Sequence, residues 1–186
     1  MSHLDYEINK ELGECYLFMG ELDKAEDYYK KAVSSNGVHP DPYIGLATIS
    51  VQRGELETAL KLYEKAHSIE ETDKSFSGIA LIRMEQGRSE EAFALFTHAL
   101  DLNPENMVAL FSLVRLGHEF DRLGEVVGRL ENYLAINSGK AEVRYALAGC
   151  LVCMDRKDEA KAQLQSILDA APDNGPAREL LGQLQD

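Results

Sequence analysis

The chain has 186 residues and a formal net charge of −13, from 19 basic and 32 acidic residues. Hydrophobic residues make up 45% and charged residues 27% of the sequence, which is the composition of a folded globular protein and excludes a disordered chain. The negative charge repels a phosphate backbone and no basic stripe offsets it, so nucleic acid is not an expected partner.

The sequence shows no targeting or membrane-spanning segment. No run approaches the roughly 18 consecutive apolar residues that a membrane helix needs, and the first residues, MSHLDYEINK, lack the basic and apolar blocks of a signal peptide. We therefore expect a cytoplasmic protein without membrane insertion. Its 3 cysteines, Cys15, Cys150 and Cys153, are an odd number in a chain without an export signal, which predicts buried thiols and not disulfides.

One stretch of sequence recurs along the chain. GELDKAEDYYKKA begins at Gly20, GELETALKLYEKA at Gly54 and GRSEEAFALFTHA at Gly87. Asp121 and Asp155 continue the series, with spacings of 34, 33, 34 and 34 residues between successive members. Apolar residues recur every three to four positions on both sides of each member, which predicts two amphipathic helices joined by a tight turn. Glycine suits this turn because it adopts the left-handed conformation without a Cβ clash.

Five units follow in chain order, and a shorter segment ends the chain. The units span 6–39, 40–72, 73–106, 107–140 and 141–174, and the last segment spans 175–186. No strand-period segment or flexible linker interrupts them. The sequence therefore predicts a single all-α domain over 1–186.

Small residues face a large residue at a fixed spacing in each unit, which specifies how its two helices pack. The first unit shows this with Ala25 beside Tyr29. The fourth unit departs from the pattern, because Val114 and Val126 replace the small residues. We therefore expect its helices to stand further apart, or the chain to bend differently there, and residues 107–140 to be the least stable part.

This pattern resembles that of the tetratricopeptide repeat family, whose units of 34 residues read W-x₂-L-G-x₂-Y, then Ala, Phe and Pro. The first unit matches through LGECY, which begins at Leu12, and the third through Phe76, Ala80 and Phe96. The resemblance implies a right-handed α-solenoid of five tetratricopeptide helix-turn-helix repeats, closed by a C-terminal capping helix over 175–186. It also implies a scaffold that binds proteins or peptides.

No catalytic, cofactor-binding or metal-binding group of residues is recognisable in the sequence. The 5 histidines are scattered over different units, and none belongs to a metal-binding motif. Cys150 and Cys153 form a CxxC sequence in mid-helix, with no second pair and no neighbouring histidine, so we interpret them as packing residues. We therefore predict a protein that is not an enzyme and that uses no cofactor or metal.

The resemblance implies that a stripe of each first helix lines a concave groove for extended peptides or helices. The candidate groove residues are Lys10, Leu17, Phe18, Ile44, Thr48, Val51, Lys74, Leu81, Met84, Phe111, Arg115, His118 and Tyr145. Apolar residues gather toward the later turns and charges toward the starts, which predicts an apolar floor and a charged lip. We expect an apolar or amphipathic ligand with some positive charge. Its main contacts are predicted to be Phe18, Phe111, Tyr145, Leu81 and Met84.

Two other interpretations bear on the same stripe. One is that Val51, Met84 and Val152 only seal one first helix against the next. The other is a clamp for acidic tails, which one subfamily of these proteins uses. We do not expect that clamp, because Glu14, Gly45 and Gly78 stand where it needs two asparagines and an arginine.

The first helix has no preceding helix to cover its outer face, where Leu4, Ile8 and Cys15 fall. Terminal repeats usually present polar residues at such a face. We expect either that further residues precede this sequence or that the face pairs with a second copy. A self-associating homo-oligomeric assembly module is therefore the alternative function.

Overall fold

The computed structural model describes residues 3–184, which form eleven helices and no strand. The first helices of the pairs are α1 (His3–Phe18), α3 (Asp41–Gln52), α5 (Asp73–Glu85), α7 (Met107–Glu119) and α9 (Ala141–Cys153). The second helices are α2 (Leu22–Ser35), α4 (Leu56–Ile69), α6 (Ser89–Leu102), α8 (Leu123–Ile136) and α10 (Lys157–Ala170), and α11 (Gly175–Gln183) follows the fifth pair. The predicted all-α fold is confirmed. Residues 185 and 186 of the predicted capping segment lie outside the described residues.

The turns that join the two helices of each pair share one backbone conformation. The second residue after the end of each first helix is called the closing residue. The closing residues have positive φ angles, 75° at Gly20, 78° at Gly54, 75° at Gly87, 54° at Asp121 and 57° at Asp155. The next backbone amide donates to a carbonyl of the first helix, as Glu21 does to Tyr16 over 2.9 Å. This is the Schellman arrangement, which satisfies carbonyls at a helix C-terminus. The predicted left-handed turns are present, and the two aspartates adopt them at a cost of about 1 kcal/mol each.

The chain divides into two compact units, called the first unit (Met1–Leu102) and the second unit (Asn103–Asp186) from here on. The five repeats of the sequence analysis are called pairs. In the first unit each helix packs on its neighbours in the sequence, and the first helices also lie side by side, α1 against α3 and α3 against α5. In the second unit, α7 to α11 pack in the same sequential way, with α7 beside α9. The single domain over 1–186 stays a prediction. No helix in the described part of the chain is long and apolar enough to cross a membrane.

Tyrosine rings on glycines set the distance between successive pairs in the first unit. A Cβ atom at Gly45 would lie 2.3 Å from Cζ of Tyr29, and one at Gly78 would lie 2.3 Å from Cε1 of Tyr63. Tyr29 also covers Gly13 in its own pair, where a Cβ atom would come within 2.8 Å of the ring. Gly45 and Gly78 therefore serve packing between successive pairs.

The fourth pair, α7 and α8, packs in another way. Val126 is fully buried where the other second helices have a buried alanine, and a Cβ atom at Gly117 would lie 2.4 Å from Cγ2 of Val126. The two helices approach each other at fewer positions than the helices of the other pairs do. This agrees with the first of the two alternatives expected for repeat 107–140, helices that stand further apart. Gly117, about one turn after Val114, makes room for the larger valine.

Candidate peptide-binding faces

Apart from Phe18, the first helices present the candidate groove residues on one face in each unit. The first-unit face consists of Lys10, Leu17, Ile44, Thr48, Val51, Lys74, Leu81 and Met84, on α1, α3 and α5. The second-unit face consists of Phe111, Arg115, His118 and Tyr145, on α7 and α9. The two faces differ in how much apolar surface they leave open.

Part of the first-unit face is used for packing between helices. Ile44 and Val51 are half-buried against the core formed by α3, α4 and α5, and Leu17 is half-buried against the core formed by α1, α2 and α3. Thr48 donates its hydroxyl to the carbonyl of Ile44 over 2.9 Å, and its oxygen lies 3.2 Å from the hydroxyl oxygen of Tyr63. These contacts favour the sealing interpretation for Val51 and for its neighbours on α3.

One of the two lysines of this face, Lys10, forms ion pairs with glutamates of its own helix. Lys10 lies 3.1 Å from a carboxylate oxygen of Glu7 and 3.3 Å from one of Glu11. The hydrogen bond to Glu7, followed in weight by that to Glu11, raises the pKa of Lys10 above its ordinary value. Lys10 is therefore not an open cation for an acidic ligand. Lys74 is exposed, while Leu81 and Met84 are half-buried.

The second-unit face leaves aromatic surface open to solvent. Phe111 keeps 39% and Tyr145 37% of its surface exposed, and Val108, nearly one turn before Phe111, is exposed as well. Phe111 and Tyr145 each lie 10 residues before the closing aspartate of their pair, so they occupy the same position on adjacent first helices. Two exposed rings at equivalent positions of neighbouring helices form an apolar patch that a ligand can cover.

Open space adjoins Tyr145 on two sides. A Cβ atom at Gly149, about one turn further along α9, would have no neighbour within 4 Å among the described residues. A cavity of about 290 Å³ lies beside the ring, lined by Ala141, Glu142, Tyr145, Asn174 and Pro176. The space beside Tyr145 can therefore receive a side chain without displacing the helix.

Phe18, the remaining candidate on α1, lies apart from the first-unit face. Its side chain is 95% exposed. At about 100° per residue, it lies about 40° from Leu4 and about 80° from Lys10 around α1, so it belongs to the outer face of that helix more than to the groove stripe. Met19, the exposed residue next to it, is a candidate that the sequence analysis missed, and extending the angular count past the end of α1 would have found it.

The prediction of three buried thiols is wrong for two of them. Cys150 is buried, but Cys15 and Cys153 are exposed, because both lie on helix faces that no other described helix covers. Burial raises the pKa of Cys150 to about 11, which suits a packing residue. Within the described residues, no group of three or more histidine, cysteine, aspartate or glutamate side chains is placed to hold a metal ion.

Comparisons with known proteins agree with this architecture. Two models described as tetratricopeptide repeats match the chain, one over residues 118–184 and the other over 7–39 and 74–106. The chain is 29% identical over 125 residues to the BBSome complex member BBS4 of Bos taurus, covering 65% of this chain and 24% of that protein. It is 22% identical over 196 residues to the TPR repeat-containing protein YpiA of Bacillus subtilis, covering 86% of this chain and 46% of that protein. The chain thus spans from about a quarter to about half of these relatives.

Solved structures share the fold at low sequence identity. The structure of YrrB, described as a TPR protein with an unusual peptide-binding site, superposes with a TM-score of 0.66 at 18% identity, covering 92% of this chain and 89% of that chain. Pseudomonas aeruginosa pilF gives a TM-score of 0.76 at 20% identity, with 93% and 79% covered. These likenesses show the fold, an all-α helical solenoid.

Proposed function

The chain belongs to the tetratricopeptide repeat family, and we propose that it is a non-enzymatic scaffold whose second-unit face binds an apolar or amphipathic peptide or helix of another protein. The observation that carries this proposal is the exposure of Phe111 and Tyr145 at equivalent positions of the adjacent helices α7 and α9. The family fold supports protein–protein interaction in general. Leu81 and Met84 of the first-unit face stay proposed as further contacts.

The two rings offer apolar area that a bound ligand can bury. An aromatic residue buries about 150–250 Å² when it is fully covered. Covering the exposed two-fifths of Phe111 and of Tyr145 therefore contributes about 1.5–2.5 kcal/mol each, at about 25 cal/mol per Å². Arg115 and His118 supply a polar rim that orients the ligand. The net charge of −13 favours a ligand with some positive charge.

The alternative function, self-association through Leu4, Ile8 and Cys15, is supported by the exposure of all three residues. Glu11 lies among them near the middle of α1. A symmetric pairing of two copies about that point would bring the two Glu11 carboxylates together, which like charges disfavour. We therefore prefer recognition by the second-unit face.

A capture experiment with matched variants tests the proposal. The immobilised wild-type chain, a Phe111→Ser/Tyr145→Ser variant and a Val38→Ser control are exposed to the same native lysate, after circular dichroism has shown equal helix content. We expect the partner to be depleted at least about tenfold by the double substitution and retained by the control, which removes an exposed apolar side chain elsewhere. Equal capture by all three chains would contradict the proposal.

A further inference from the structure

We propose that the outer face of α1 docks an amphipathic helix of a partner protein that presents a lysine or arginine opposite Glu11. The outer face consists of Leu4, Ile8, Glu11, Cys15, Phe18 and Met19. This surface is distinct from the second-unit face, and the inference does not depend on the function proposed for that face.

The six residues form one continuous exposed surface. At about 100° per residue, all of them lie within about 60° of Leu4 around the helix. The exposed fractions of the large apolar members are 66% for Leu4, 48% for Ile8, 95% for Phe18 and 63% for Met19. Cys15 and Glu11 are exposed as well. An apolar stripe of this width along a helix is the complement of the apolar face of another helix.

The central part of this face is covered by a helix in the second and third pairs, whereas the positions equivalent to Leu4, Phe18 and Met19 are exposed there. Ile8 and Cys15 lie 12 and 5 residues before the closing glycine of their pair. The residues at those positions are buried in the next two pairs, Pro42 and Ile49 on α3 and Ser75 and Ile82 on α5. There α2 packs on α3 and α4 packs on α5. The shape of this face on a first helix is therefore suited to receive a helix.

Glu11 changes the chemistry of that face at its centre. Glu11, Gly45 and Gly78 each lie nine residues before the closing glycine of their pair. In α3 and α5 the glycine admits a tyrosine ring of the docked helix. On α1 a carboxylate fills this position. One of its oxygens lies 3.3 Å from Nζ of Lys10, and 64% of the side chain is still exposed, which leaves room for a second cation.

The same position argues against a second helix of another copy as the occupant. Nine residues after each closing residue, the second helices of this chain carry Tyr29, Tyr63, Phe96, Leu130 and Leu164. All are large and uncharged, so none complements the carboxylate of Glu11. A lysine or arginine does so, because it compensates the charge while its methylene groups cover the neighbouring apolar residues.

Two synthetic peptides test this inference on the full chain. Both are 18-residue amphipathic helices with the same leucine stripe, and they differ only in a central lysine or glutamate. By isothermal titration calorimetry, we expect the lysine peptide to bind wild type at least about tenfold more tightly than the glutamate peptide. Glu11→Lys is expected to reverse this preference. Glu131→Lys, which changes an exposed glutamate on α8, is the matched control and is expected to keep it.

Further variants separate this surface from the second-unit face. Ile8→Ser/Phe18→Ser is expected to weaken both peptides at least about fivefold, while Phe111→Ser/Tyr145→Ser is expected to bind them like wild type. Equal affinity of the two peptides, or loss of binding only in the Phe111→Ser/Tyr145→Ser variant, would overturn the inference. Sedimentation that shows a dimer of the chain abolished by Ile8→Ser would also overturn it, by assigning the face to a second copy.

Discussion

The pairs of the first unit and the fourth pair solve the same packing problem with glycines in different places. In the first unit, Gly45 and Gly78 receive a tyrosine ring from the second helix of the preceding pair. In the fourth pair, Gly117 receives Val126 from the second helix of its own pair. The comparison teaches that a large side chain must meet a small one where helices cross, whereas the position of the glycine on the first helix and the pair that supplies the large side chain can change.

Adding one methyl group to the glycine under a tyrosine breaks the first-unit arrangement. We expect Gly78→Ala to lower the free energy of unfolding by about 2–3 kcal/mol, because the new Cβ would lie 2.3 Å from the buried ring of Tyr63. Equilibrium denaturation in urea measures the change. Gly149→Ala is the matched control, since a Cβ there meets no described atom within 4 Å. Equal losses of unfolding free energy in both variants would show that the contact between Gly78 and the Tyr63 ring does not determine the effect.

Much of this architecture could be predicted from the sequence, because its signals are local. The spacing of Gly20, Gly54, Gly87, Asp121 and Asp155 identifies the turns, since each requires a left-handed residue at a helix end. The partners of Gly45, Gly78 and Gly117 could not be predicted in this way. A glycine in the sequence indicates only a position of close approach, and the side chain that packs there comes from another helix.

The candidate site could be predicted to a smaller extent, because the exposure of a residue depends on side chains from other helices. Periodicity placed Phe111 and Tyr145 on first helices, where they are exposed. It placed Ile44 and Val51 on the same stripe, yet these two are half-buried by packing between helices. Exposure depends on what the neighbouring helix covers, and one helical period does not carry that information.

Hydrogen exchange sharpens the comparison at the level of whole helices. We expect the backbone amides of α7 and α8 to exchange at least about tenfold faster than those of α3 and α4, because the fourth pair approaches at fewer positions. Exchange followed by mass spectrometry on peptides from both pairs measures the ratio. The α3–α4 peptides serve as the internal reference. Stronger protection of the fourth pair than of any other would refute this expectation.

Gly128→Ala is expected to reduce that difference by strengthening the fourth pair. Gly128 lies inside α8, and a Cβ atom there meets no described atom within 4 Å. The substitution therefore removes backbone freedom without a clash and is expected to raise the free energy of unfolding by about 0.5–1 kcal/mol. Urea denaturation and the exchange rates of α8 measure it. A loss of stability would mean that α8 is bent or distorted at this residue.

The smallest expected effect concerns an ionic contact of the first unit that the second unit lacks. Glu26 on α2 lies 2.6 Å from Arg53 at the end of α3, and it also pairs with Lys30. In the second unit, the equivalent positions of the fourth and fifth pairs hold Val127 and Met154, both apolar. We therefore expect pH to modulate the first contact and not its counterpart.

Hydrogen bonds from Lys30 and then Arg53 lower the pKa of Glu26 below its ordinary 4.5. Because the folded pKa is the lower one, the contact stabilises the fold fully above pH 4.5, and its contribution is lost as pH falls through the folded pKa. We expect Glu26→Gln to cost less than about 1 kcal/mol at pH 7, as surface pairs do, and nothing in strong acid. Thermal unfolding of both chains from pH 7 to pH 2 measures this. A constant difference across that range would assign the effect of Glu26 to packing instead of charge.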